Sequence, residues 1–369
     1  MSIDFKKELN KAQYEAVSYI DGASLVIAGA GSGKTRVLTY KIAYLLENEY
    51  YPSEILALTF TNKAAREMKE RIANMLGKDR VRYLQMGTFH SVFLRILRTE
   101  AQHIGFDSNF TIYDTSDSLS LIRNIIKEKG LDDKKYKPQS VLSRISNIKN
   151  YLITPKMYAE DSEAMKADRI SNMQSLHSIY EEYARRCKQS MAMDFDDILL
   201  YTHKLLSENK DILDKYQQRF RYILVDEYQD TNYAQHIIVK LFASKHRNIC
   251  VVGDDAQSIY SFRGANISNI INFQKTYNGA RIFKLEQNYR STKNIVAAAN
   301  SLIEKNGNQI RKQVYSENEL GNRVSLHNSY NDIEEAIYVA RRVQRLHQQE
   351  GYSYSDMAIL YRANSQSRL

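Results

Sequence analysis

The chain has 369 residues, with 52 Lys+Arg against 43 Asp+Glu and a formal net charge of +9. Hydrophobic residues make up 43% and charged residues 26%, which excludes wholesale disorder and supplies core material for two or three domains. Cys187 and Cys250 are too few for a disulfide scaffold and lack metal-cluster spacing; no apolar run approaches the ~18 residues of a membrane span, and the alternating acids and bases of residues 1–11 are not a signal peptide.

In chain order, β-branched or Leu-rich runs at Ser24–Ala28, Ile55–Phe60, Tyr222–Val225, Ile249–Val252, Ile282–Leu285 and Met357–Tyr361 read as strands. Most are apolar throughout, as strands covered on both faces are. Helical patterns at Lys34–Glu47, Lys63–Leu76, Ser91–His103, Tyr233–Ala243 and Thr292–Asn306 lie between or after them, the βαβ rhythm of a parallel sheet. From about Asn109 to Ser190 that rhythm stops, and Lys-, Ser- and Asn-rich helical patterns read as a helical insertion. Its residues 120–156 carry nine Lys/Arg against three Asp/Glu. Such a concentration suits either a solvated face or contact with a phosphate backbone. The chain ends shortly after the strand expected at Met357–Tyr361, as a sequence cut within a domain does.

Ala28-Gly29-Ala30-Gly31-Ser32-Gly33-Lys34-Thr35 follows the first strand and opens a helix. Glycines let the backbone wrap a phosphate, and the N–H groups of Ala30, Gly31, Ser32 and Gly33 form an anion nest at a helix N-terminus. Lys34 is placed for the β- and γ-phosphates and the Thr35 hydroxyl for Mg²⁺. The strict pattern has Gly where this chain has Ala28, a strand end where a methyl group is tolerable. Asp226 and Glu227 end another apolar strand. In a sheet of this kind the first acid holds Mg²⁺ and the second serves the attacking water as general base. Lys34 and Asp226 are 192 positions apart, a separation the helical insertion accounts for. Gln257 after Ile249–Val252 is a candidate γ-phosphate sensor, and Arg290 after Ile282–Leu285 a candidate charge clamp.

Phe60, His90, Tyr260 and Phe262 follow strand ends. If the strands run parallel, these residues share the edge of the phosphate loop. There they either stack on unpaired bases, each worth roughly 1–3 kcal/mol, or finish the core. Thr61 and Asn62 suit backbone phosphates.

Together these blocks resemble a known family. Leu9-Asn10-x-x-Gln13-x-x-Ala16-Val17, Ala28–Thr35, Leu58–Met68, Gly87–Ser91, Asp194-Phe195-Asp196-Asp197, Val225–Asp230, Val252–Ala265, Leu285–Ser291 and Ala358–Arg368 are similar, in that order, to the N-terminal half of UvrD/Rep/PcrA-type superfamily 1 DNA helicases. The resemblance implies an α/β chain: a RecA-like P-loop parallel sheet (motor domain 1A, residues 1–108 and 191–280), an inserted all-helical subdomain 1B (109–190), and part of a second RecA-like domain 2A (281–369). It implies ATP and Mg²⁺ as cofactors and 3′→5′ translocation on single-stranded DNA with unwinding at single-strand/duplex junctions. It places Gln13, Arg36 and Tyr289 around the adenine, and Lys34, Thr35, Asp226, Glu227, Gln257 and Arg290 around the triphosphate and its metal. Phe60, Tyr260, Phe262 and Arg263 would meet DNA. A member of the family has Trp where this chain has Phe262, so base contact there is expected to be weaker.

The family's later motor motifs, including a second arginine at the γ-phosphate, do not occur in the sequence. Weak nucleotide binding and poor hydrolysis are therefore expected of this chain. By the same resemblance it is a cytoplasmic, bacterial-type, nucleoid-associated protein of DNA repair or replication, a monomer or weak dimer. The motor half of a helicase–nuclease and a non-motor single-stranded nucleic-acid-binding module are the alternatives.

Overall fold

The computed structural model describes residues 3–48, 50–307 and 309–368, the side chains of Arg263 and Arg368 excepted. Two compact units divide the chain, one ending at Glu319 and one beginning at Leu320.

The strands are β1 (Ala23–Ala28), β2 (Ile55–Thr59), β3 (Gln85–Thr88), β4 (Thr111–Ile112), β5 (Ala192–Met193), β6 (Tyr222–Val225), β7 (Ile249–Gly253), β8 (Arg281–Leu285), β9 (Gln287–Asn288) and β10 (Tyr315–Ser316). Six of them form one sheet in the order β3-β2-β6-β7-β1-β8, with every neighbouring pair parallel. The β1, β2, β6 and β7 residues are buried throughout because helices cover both faces. Alternation along the pleat sends Leu25, Leu56, Ile223 and Val251 into one core and Val26, Ala57, Leu224 and Val252 into the other. Helices Phe89–Thr99, Phe195–Glu208 and Tyr233–Ala243 fill the first core. Helices Lys11–Ser18, Lys34–Glu47 and Asn62–Leu76 fill the second.

Three findings differ from the sequence expectations. Strand β3 is only partly buried and its Gln-Met-Gly-Thr has no apolar run, so periodicity missed it. Strand β8 pairs with β1 from Ser24↔Arg281 to Ala28↔Leu285, so the first sheet reaches beyond residue 280, where the second domain was expected to begin. Met357–Tyr361, expected as a strand, has no ladder partner among the described residues, and Leu360 is exposed.

The insertion has its own core. Ile122, Ile125, Val141, Ile145, Ile179, Tyr180 and Tyr183 pack together from helices Thr115–Glu128, Pro138–Asn150 and Leu176–Gln189. At its base β4 pairs with β5, and the Lys149 ammonium lies 2.7 Å from both Asp194 and Asp197. Arg144 pairs with buried Asp168 at 2.7 Å. Two of the nine basic residues in 120–156 are thus structural. In the second unit the helix Asp332–Glu350 is capped by Asn331 and ends on Gly351.

Candidate nucleotide site and adjoining cleft

With the sheet parallel, the loops after β1, β2, β3, β6 and β7 leave the same edge, where ligands of such sheets bind. After β1 the backbone turns through Gly31 (φ 69°) and Gly33 (φ 88°), conformations that L side chains resist. Ser32 closes the turn by donating its hydroxyl to the Gly29 carbonyl at 2.6 Å. Gly33 then caps the helix Lys34–Glu47, so its N-terminal amides and their dipole face the turn. The segment after β8 packs against this loop. Tyr289 N donates to the Gly31 carbonyl at 2.9 Å, and the Asn288 amide donates to the Ala30 carbonyl at 2.6 Å. A Cβ on Gly31 would lie 2.7 Å from the Arg290 Cβ, so the backbone itself sets Arg290 beside the loop.

The acids arrive from β6. Asp226 N donates to Leu58 O at 2.9 Å, continuing the ladder one residue past the strand. Glu227 then adopts φ 48°, an uncommon conformation for a side-chain-bearing residue and one that concentrates at functional sites. The turn aims its carboxylate at the phosphate loop: Lys34 Nζ and Glu227 Oε2 are 3.0 Å apart. The ammonium therefore pairs with the second acid rather than with Asp226. Burial and the Glu227 charge push the Asp226 carboxyl up to about 7, with Lys34 opposing. A buried carboxylate whose neighbouring ammonium is engaged elsewhere favours a cation, and Thr35, next to Lys34 at the helix start, carries a hydroxyl, a hard donor of the matching kind. The residues present fit magnesium. Among the described residues no cluster of three or more His, Cys, Asp or Glu forms a cage, so the remaining ligands would come from phosphate and water.

The residues expected around the adenine are partly brought together. Gln13 is buried, closes a capping box with Asn10, and donates to Ser32 O at 3.2 Å. Asn10 in turn donates to the Tyr289 hydroxyl at 2.6 Å. Arg36 is turned to Glu8, at 3.1 Å.

A polar chain leads away from Glu227. Gln229 donates to Glu227 Oε2 at 2.9 Å and accepts from Asp254 N at 3.0 Å. Gly253 permits this approach, since a Cβ there would sit 2.6 Å from Gln229 Oε1. Gln257 donates to Asp254 Oδ2 at 2.7 Å. Glu227, Gln229 and Gln257 also line a cleft of about 800 Å³ together with Phe60, Thr61, His90 and Tyr260. Phe262 is 68% exposed, with its ring 6.0 Å from that of Tyr260, but neither it nor Asn62 lines the cleft. Thr61 is partly committed to capping the helix Asn62–Leu76, and Phe60 packs on the core while also facing the cleft. The Arg263 side chain lies outside the described residues. Burial lowers the His90 pKa, favouring the neutral imidazole.

Sequence reasoning overlooked other walls of the cleft. Ser146, Asn150 and Asp196 line it; Asn150, from the insertion, accepts from Asn232 at 2.6 Å and donates to Asp196 at 3.0 Å. Nothing local marks Ser146 or Asn150, whereas Asp196 stands in the acidic block Asp194–Asp197 that resembles the family. Phe195, in the same acidic block, is exposed, with its ring 6.0 Å from His90.

Comparison with known proteins gives two family matches. The UvrD/REP helicase N-terminal domain matches residues 9–278, and the UvrD-like helicase C-terminal domain matches 283–369. Curated relatives include the ATP-dependent DNA helicase PcrA of Staphylococcus aureus (strain Mu50), 46% identical over 362 residues, covering 98% of this chain and 48% of the relative. The protein of the same name from Staphylococcus epidermidis (strain ATCC 35984) is 45% identical over 364 residues, covering 98% and 49%. The chain thus spans about half the length of these relatives.

Proposed function

From the premise that this chain belongs to the UvrD/REP helicase family, we propose that it carries the ATP-hydrolysing and strand-gripping core of an ATP-dependent DNA helicase that moves 3′→5′ on single-stranded DNA and opens duplex at a junction. The observation that carries this is the meeting of Lys34 and Glu227 at 3.0 Å in a loop edge that continues into an aromatic-lined cleft.

The chemistry follows from the positions. The nest at 30–33 receives the phosphates, and Lys34 exchanges its carboxylate partner for the β- and γ-phosphate oxygens. Thr35 and Asp226 would hold magnesium, which would supply charge neutralisation for the phosphates when bound. Release from Lys34 leaves the Glu227 carboxylate to orient and deprotonate the attacking water. Gln257 reads the γ-phosphate and Arg290 offsets charge on the transferred group. Gln13, Arg36 and Tyr289 surround the adenine. Phe60, Tyr260 and Phe262 stack on bases whatever their sequence, while Thr61, Asn62, His90 and Arg263 meet the strand. Residues 1–108 with 191–280 and strand β8 act as one motor domain, 109–190 as its insertion, and the residues after β8 as the opening of a second. The setting is the bacterial cytoplasm, at the nucleoid, with a monomer or weak dimer as the working form. No helix of the described residues is long and apolar enough to cross a membrane.

The test is thermodynamic coupling. Fluorescence anisotropy of labelled oligo(dT) at one fixed salt concentration, with and without a non-hydrolysable ATP analogue, reads it directly. Nucleotide-dependent strand affinity is expected. Strand binding indifferent to nucleotide at saturation refutes the motor reading and leaves a non-motor binding module.

A further inference from the structure

Among the buried ionisable groups outside the steps above, Lys312 stands apart. Its side chain is only 6% exposed, and its ammonium lies 3.0 Å from Asp254 and 2.5 Å from Asp255. Burial lowers its pKa, but the two carboxylates outweigh burial and leave it raised, so the ammonium stays charged. Residues 310–316 cross the site edge around this anchor. Ile310 N donates to Asp255 at 2.5 Å, Gln313 N donates to Glu286 at 2.7 Å, and Tyr315 joins Gln287 in a parallel bridge. Val314 lies so close that a Cβ on Gly29 would come within 2.6 Å of it. The segment therefore touches the phosphate loop at one point and the acids after β7 at another.

Asp254 is the shared member. Its carboxylate takes the Lys312 ammonium and one amide hydrogen of Gln257, while its backbone N–H is held by Gln229. An amide nitrogen carries two donors; with one fixed on Asp254, the plane of the Gln257 side chain is set and the second is directed elsewhere.

We propose that Lys312 is a positioning residue for γ-phosphate recognition: by neutralising and orienting Asp254 it holds Gln257 in its sensing geometry, and through Asp255 it ties the 310–316 segment to that geometry. The inference rests on the assignment of Gln257 as the γ-phosphate sensor. Without Lys312, two buried carboxylates repel, Asp254 is no longer held in place, and Gln257 loses its fixed acceptor. The diphosphate end of the site does not depend on this contact, so the defect is selective for ATP over ADP.

The experiment measures Kd for fluorescent ATP and ADP analogues with magnesium on the 369-residue chain, its folding checked by thermal melting. The variants are Lys312→Met, Lys312→Arg and Lys34→Ala. Lys312→Met is expected to weaken ATP about tenfold, the size of one lost charge-assisted hydrogen bond, with ADP within about twofold and Lys312→Arg restoring most of the preference. A folded Lys312→Met with an unchanged ATP/ADP ratio overturns the proposal. If Lys312→Met does not fold, the double variant Asp255→Asn with Lys312→Gln keeps the net charge of the trio and is read the same way. Triphosphate binding unaffected by Lys34→Ala overturns the nucleotide-site assignment itself, and the Lys312 role with it.

Discussion

Lys34 Nζ and Glu227 Oε2 lie 3.0 Å apart although 193 positions separate them in the chain. Lys34 begins the helix after β1 and Glu227 follows β6. The pair gives Lys34 a protein partner and occupies the candidate base in the same contact.

Replacing Glu227 with Gln is expected to leave nucleotide binding equal or tighter, because Lys34 is released toward phosphate. Turnover should fall by about 10²–10⁴, the usual contribution of a general base. Steady-state phosphate release beside analogue binding checks this; turnover near the parent level removes Glu227 from the base role.

Gly31→Ala places a methyl group at φ 69° and 2.7 Å from Arg290 Cβ. Both the strain and the contact push Arg290 and Asn288 off the loop. Nucleotide affinity should drop at least about tenfold with a small change in melting temperature, since strain of this kind is worth about 1–3 kcal/mol. Titration with an ATP analogue beside a thermal melt separates the two effects.

Tyr260→Ala and Phe262→Ala should each weaken oligo(dT) binding by about 1–3 kcal/mol. The dependence of affinity on salt concentration should stay unchanged, because neither removes a phosphate contact. Anisotropy titrations at three salt concentrations report both quantities. A changed slope with unchanged affinity at the reference salt contradicts the stacking assignment.

His236 is buried, its Nδ1 2.7 Å from the Tyr228 hydroxyl. Burial, with Lys240 nearby, lowers its pKa from 6.5 to about 4. The unfolded chain binds this proton first, so the stability it contributes is complete above about pH 6.5 and is lost as pH falls toward 4. The loss amounts to about 3 kcal/mol. In His236→Asn the decline between pH 6.5 and 4 should be shallower by that amount, as urea denaturation across the range would show. Parallel pH profiles for the two proteins exclude the assignment.

Lys149 is 1% exposed between Asp194 and Asp197. Lys149→Met strands two buried carboxylates and is expected to cost about 3–5 kcal/mol, read as a lowered urea midpoint at pH 7. A loss below about 1 kcal/mol would mean that the insertion is held at its base chiefly by apolar packing.

The sequence by itself determined the elements whose physics is local. Apolar runs specify buried parallel strands, and five of the six sheet strands fall within a residue or so of where those runs lie, β3 being the exception. Gly31, Gly33 and Lys34 form a candidate site over a few consecutive residues, so their spacing alone was legible, as was the acid pair ending β6. Tertiary structure decided what depends on distance between segments. It paired Lys34 with Glu227 rather than Asp226, because the left-handed turn at Glu227 swings that carboxylate toward the loop. It placed β8 beside β1, gave Met357–Tyr361 no ladder partner among the described residues, and spent part of the basic stretch of the insertion on buried ion pairs. It also brought Asn150 and Lys312 to the cleft and the acids after β7. A hydrogen bond or ion pair between distant segments leaves no periodic trace, since its energy depends on a geometry that exists only once the sheet has set the positions of both partners.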